Sequence, residues 1–171
     1  MYYSLIRNCD ASNGTGVRVS LFVSGCRHHC KNCFNKETWD FHFGQEFTQD
    51  TINQIIDLLK PDYISGLTLL GGDPMEPENQ HSLLPLVTKV KLTYPSKNIW
   101  CYTGYTYETD ILYNMRSKYQ ETCEILKYID VLVDGEFKEE LKNPLLKFRG
   151  SSNQRLIDVQ KSLEYGETII L

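Results

Sequence analysis

The chain has 171 residues, 41% of them hydrophobic and 23% charged, with a formal net charge of −4. That balance predicts one globular domain spanning residues 1–171. The absence of a Lys/Arg-rich run, of roughly 20 consecutive apolar residues, and of a basic-then-apolar leader in "MYYSLIRNCD" argues against nucleic acid, membrane and export. The expected location is the cytoplasm, where thiols stay reduced and clustered cysteines point to metal or catalysis rather than disulfides.

Apolar strands alternate with helices along the chain. "VRVSLFVSG" (17–25) reads as a first strand ending in a glycine turn. In "TQDTINQIIDLLK" (48–60), Ile52, Ile55, Ile56 and Leu59 follow the i, i+3, i+4, i+7 spacing of a helix that Pro61 stops. "GLTLL" (66–70) predicts a buried strand and "NQHSLLPLVTKVKLTY" (79–94) a helix with Pro85 inside it. "NIWCYTG" (98–104) is the next strand and turn, and "YETDILYNMRSKYQETCEILKY" (107–128) one long helix or two short ones. "DVLVDG" (130–135), "QRLIDV" (154–159) and "TIIL" (168–171) complete the predicted strands. This order predicts an α/β fold around a mostly parallel sheet, with ligands beyond the carboxyl ends of the strands.

The chain has six cysteines, and three of them stand in "CRHHCKNC" (26–33), a C-x3-C-x2-C spacing. Three thiolates suit two metals. Zinc would take a fourth ligand, for which His28, His29 and His42 are candidates. An iron–sulfur cluster, usually held by four cysteines, would keep one iron open. Cys9, Cys101 and Cys123 are isolated and read as small buried apolar residues. His28, His29, His42 and His81 read as loop or surface histidines. "GGDP" (71–74) carries turn chemistry, and paired glycines also let backbone carbonyls approach a ligand. "WCYTGY" (100–105) is an aromatic strand running into a glycine turn.

C-x3-C-x2-C just after a strand resembles the radical S-adenosylmethionine (SAM) superfamily, with "GGDP" in place of that family's GGE-type element. "NGTGVRVSLFVSGC" (13–26), "CFNKETWDFHFGQEF" (33–47), "DVLVDGEF" (130–137) and "FRGSSNQRLIDV" (148–159) narrow the likeness to its glycyl-radical-enzyme activases. Within them the resemblance is to the group acting on the anaerobic ribonucleoside-triphosphate reductase.

The resemblance implies a partial (β/α) barrel and a [4Fe–4S] cluster on Cys26, Cys30 and Cys33. The open iron would bind SAM, and the cluster would cleave it to a 5′-deoxyadenosyl radical that makes a glycyl radical on the reductase. Gly71, Gly72 and Asp73 would meet the SAM amino group, with Gly72 foremost, and Thr103 and Gly104 would line the cleft. Many members place an aromatic residue before the third cysteine, where this chain has Asn32. Backbone groups of Asn32, Cys33 and Phe34 would then face the adenine. Reduced flavodoxin or a similar protein would supply the electron. "EFKEELKNPLLKFRGSSNQR" (136–155) is expected near the barrel opening, with Arg149 as an anchor for the reductase. The rival readings are an activase of another glycyl-radical enzyme, such as pyruvate formate-lyase, and a zinc-binding adaptor.

Overall fold

The structure is a computed structural model that describes all 171 residues. Its first helix forms where the apolar stripe predicts it. Helix α1 (Gln49–Leu59) buries Ile52, Ile55, Ile56 and Leu59. Thr48 caps its start, the two threonines exchanging bonds: the Thr48 side chain accepts from the Thr51 amide, and the Thr51 side chain accepts from the Thr48 amide. Helix α2 (Pro77–Thr93) begins on a proline, which fits a first turn whose amides have no helical partner, and runs through Pro85.

Seven strands form one sheet in the order β3-β1-β2-β4-β5-β6-β7. The central strands β2 (Val17–Val23), β4 (Ile64–Gly71), β5 (Asn98–Tyr102) and β6 (Val131–Asp134) are parallel. Strands β1 (Tyr2–Asp10), β3 (Gln45–Glu46) and β7 (Arg155–Asp158) are antiparallel to their neighbours. Alternation along the central strands sends Val19, Leu21, Leu67, Leu69, Ile99, Cys101 and Leu132 into one apolar core with the helices. No helix is long and apolar enough to cross a membrane.

Several local expectations are corrected. The cysteine motif follows the second strand, because β1 precedes the strand read as first. Two register breaks in the β1–β2 pairing, between Tyr3 and Leu5 and between Arg7 and Asp10, spoil the period-two pattern that would have announced β1. Of the two alternatives for 107–128, the structure has two short helices, the first of them a π-helix (Tyr107–Met115) and the second α3 (Gln120–Ile125). "TIIL" makes a single bridge, Ile170 to Ile157, after helix α4 (Val159–Tyr165).

The opposite face of the sheet carries Arg18, which is fully buried. Its guanidinium donates to Thr68 Oγ1 (2.6 Å), Asn98 Oδ1 (2.7 Å) and the Leu67 carbonyl (2.8 Å), and lies 5.4 Å from the Trp100 ring centre. Burial lowers its pKa to about 10, which leaves it charged at neutral pH. The side chain thus joins β2, β4 and β5 through neutral acceptors. Arg18→Met should destabilise the metal-free protein by several kcal/mol, read as a lower urea midpoint, since each stranded buried acceptor costs about 1–3 kcal/mol. An unchanged midpoint would show that the guanidinium is dispensable.

Candidate functional site

Because β2, β4, β5 and β6 are parallel, their carboxyl ends share one edge of the sheet, where ligands bind in open α/β folds. The cysteine loop leaves β2 there, "GGDP" leaves β4, "TG" leaves β5 and "DG" leaves β6.

Asp73 joins three of these ends. Its side chain is 1% exposed. Oδ1 accepts from the Met75 amide and the Thr103 hydroxyl, both at 2.8 Å, and Oδ2 accepts from the Gly104 amide at 2.8 Å. His28 Nε2 lies 3.1 Å from Oδ2, too oblique for a hydrogen bond, so this contact is electrostatic. Burial pulls the His28 imidazole down, but Asp73, Glu136 and Glu76 outweigh it and its pKa rises. The His28 ring also meets Tyr105 edge-on at 4.4 Å. His28 is therefore part of the site rather than a loop bystander. His29 stacks on Trp39 at 4.5 Å, while His42 and His81 are largely exposed.

The glycines at these turns are required by space. A Cβ on Gly104 would stand 2.5 Å from the His28 ring. One on Gly72 would stand 2.6 Å from the Gly25 carbonyl oxygen and 2.9 Å from that of Thr38. Gly71 is at φ +111°, in the region that favours glycine.

Cys26 is buried, and Cys30 and Cys33 are half-buried. Burial, with Asp73 next, raises the Cys26 pKa to about 12, and burial with Glu136 raises Cys30 to about 11. The Phe137 amide lies against the Cys30 sulfur, which brings the start of the 136–155 segment to the cysteine loop. The Asn35 amide donates to Cys33 Sγ at 3.4 Å. Asn32 has φ +56° and is exposed, and the Phe34 side chain is 88% exposed. The structure thus groups Asp73, Thr103 and Gly104 directly and sets Gly72 against the cysteine loop. Asn32 and Phe34 form no hydrogen bonds with that group. Arg149 donates to the Gln154 carbonyl at 2.6 Å, so its guanidinium is engaged within its own segment.

The three loop cysteines are free thiols, and three sulfur donors on one short loop fit an iron–sulfur cluster that keeps one iron open. Of the cysteines expected to be buried, Cys101 is, whereas Cys9 is exposed and Cys123 half-buried.

Sequence reading missed Glu76 and Asn79. Glu76 precedes Pro77 at the start of α2 but makes no side-chain cap to the helix. Its Oε1 accepts from the Arg27 amide at 2.8 Å, and its Oε2 pairs with the Arg27 guanidinium. Asn79 Nδ2 donates to the carbonyls of Ser24 (3.0 Å) and Asp73 (2.8 Å). A glutamate at a helix start, where Ser, Thr, Asp or Asn is favoured, was the available signal.

A side chain at Gly72 would press on the Gly25 carbonyl, in the backbone that leads into Cys26. Gly72→Val should therefore lower the iron retained per chain after reconstitution. Full iron retention would show that the turn tolerates a side chain.

A family model described as a 4Fe-4S single cluster domain matches residues 12–157. The anaerobic ribonucleoside-triphosphate reductase-activating protein of Enterobacteria phage T4 is 45% identical over 156 residues, covering 91% of this chain and 93% of that protein. Its namesake from Vibrio cholerae serotype O1 is 46% identical, and that of Escherichia coli K12 is 42% identical. Each match spans 156 residues, 90% of this chain and 96% of the relative. Identity at this level over nearly the whole chain, with the cysteine loop inside the matched domain, places the chain in the family of anaerobic ribonucleoside-triphosphate reductase-activating proteins, with a 4Fe-4S domain.

Proposed function

We propose that this chain activates an anaerobic ribonucleoside-triphosphate reductase by placing a glycyl radical on it, acting in the cytoplasm as one domain over residues 1–171. The observation that carries the reading is the meeting of the cysteine loop, "GGDP" and "TG" at one edge of four parallel strands, tied through Asp73. The names of the relatives supply the target. The sequential order of β2, β4, β5 and β6, with helices on one face, supports a partial (β/α) barrel of the radical SAM type.

In this reading Cys26, Cys30 and Cys33 hold a [4Fe–4S] cluster. When bound, the cluster supplies one electron, drawn from reduced flavodoxin or a similar donor, that cleaves SAM and leads to hydrogen abstraction from a glycine Cα of the reductase. The chain's own residues bind and orient. Of Gly71, Gly72 and Asp73, the two glycine carbonyls are left to face the SAM ammonium, since the Asp73 carboxylate and carbonyl are already occupied by protein donors. The Thr103 hydroxyl, bound to Asp73, and the Gly104 amide hold the second wall of the cleft in place. Backbone groups of Asn32, Cys33 and Phe34 are left for the adenine. The segment 136–155 adjoins the loop at Cys30 and borders the opening through which a partner's glycine would enter.

Anaerobic reconstitution should give close to one four-iron cluster per chain and no zinc requirement. Changing Cys26, Cys30 or Cys33 singly to Ala should abolish SAM cleavage, whereas Cys9→Ala and Cys123→Ala should retain it. A zinc-loaded protein without iron, or an essential Cys9 or Cys123, would overturn the three-cysteine cluster.

A further inference from the structure

The cysteine loop is held unevenly. As far as residue 28, it is tied to other elements. The Gly25 amide donates to the Thr38 carbonyl (2.7 Å) and the Cys26 amide to the Trp39 carbonyl (3.3 Å). Asn79, wholly buried in α2, holds the Ser24 carbonyl. Arg27 is held twice, its amide and its guanidinium both reaching Glu76, whose side chain is 0% exposed. The guanidinium also makes paired bonds to Glu78 (2.6 and 3.0 Å) and lies 4.4 Å from the Phe41 ring centre.

Past residue 28 the main-chain bonding is local. The Cys33 amide donates to the Cys30 carbonyl at 3.1 Å. His29 and Asn32 take positive φ, +51° and +56°, and Lys31, Asn32 and Phe34 are exposed. Links to other elements here run through side chains, His29 on Trp39 and the Cys30 sulfur beside the Phe137 amide.

We propose that Glu76 is a positioning residue for the cluster. It fixes Cys26 as the preformed corner of the site, while Cys30 and Cys33 are carried on the half of the loop that adapts as iron is loaded. A buried carboxylate is costly unless charge and hydrogen bonds compensate it, and both compensating groups come from the residue next to Cys26. The first turn of α2 therefore sets the direction of that ligand without touching iron. Partners of metal ligands commonly change metal affinity by about 10–100-fold when removed. The inference rests on the reading of this loop as the cluster's seat.

Two measurements test it. In the unaltered metal-free protein, hydrogen exchange at single-residue resolution should show the Arg27 amide protected about 100-fold more than those of Lys31, Asn32 and Phe34. In reconstituted protein, Glu76→Ala should lose iron to a chelator about 10-fold faster or more. Glu76→Gln, whose amide oxygen still accepts from the Arg27 amide although its Nε2 turns donors toward the guanidinium, should lose iron more slowly than Glu76→Ala. Rescue by glutamine is what a general loss of stability would not produce. An Arg27 amide that exchanges like those of 31–34 overturns the proposal even if the alanine variant fails to fold. Equal iron retention in Glu76→Ala, or equally fast loss from the folded glutamine variant, also overturns it. An unaltered protein that takes up no iron would instead remove the cluster reading, and the proposal with it.

Discussion

A single buried carboxylate, Asp73, holds the functional edge of this protein together. It takes donors from the turn after β4 and from the end of β5, and it faces His28 of the cysteine loop. A buried carboxylate needs such partners, because without them desolvation would favour the neutral acid. The requirement works in both directions. The same bonds that satisfy the Asp73 carboxylate fix the distance between the two glycine turns and bring the loop against them. The absence of side chains at Gly72 and Gly104 is what allows that approach.

The electrostatics of the loop tie cluster loading to the release of thiol protons. Burial, together with Asp73, Glu76 and Glu136, keeps Cys26 and Cys30 as neutral thiols near pH 7. A cluster must displace those protons, so its binding is coupled to proton release, and acid should work against it. The uneven anchoring of the loop complements this. One ligand is held in advance by α2, while the other two stand on backbone bonded mainly to itself.

Much of this arrangement was legible in the sequence. The C-x3-C-x2-C spacing, the two glycine turns and the short β-branched strands are local patterns, and local patterns survive in one dimension. The face of α1 could be read from four isoleucine and leucine positions because the helix packs by one stripe. Strand β1 was not legible, since its register breaks put like residues on opposite faces. The π-helix was hidden because Tyr107, Ile111 and Met115 recur every four residues, close to an ordinary helical spacing. His28, Glu76 and Asn79 escaped for a different reason. Their partners lie roughly 45 to 55 residues away in the chain, and only the fold brings them together.

The central claim is that this small protein removes a hydrogen atom from a glycine of its reductase. The most direct test uses a reductase deuterated at its glycine α-carbons, incubated without oxygen with this protein, SAM and a reductant. The account predicts deuterium in the 5′-deoxyadenosine formed and an organic radical on the reductase whose α-hydrogen doublet has collapsed. Direct transfer requires the two carbons at near-contact distance, roughly 3–3.5 Å. SAM cleavage that leaves deoxyadenosine free of deuterium, with no radical on the reductase, would contradict the account.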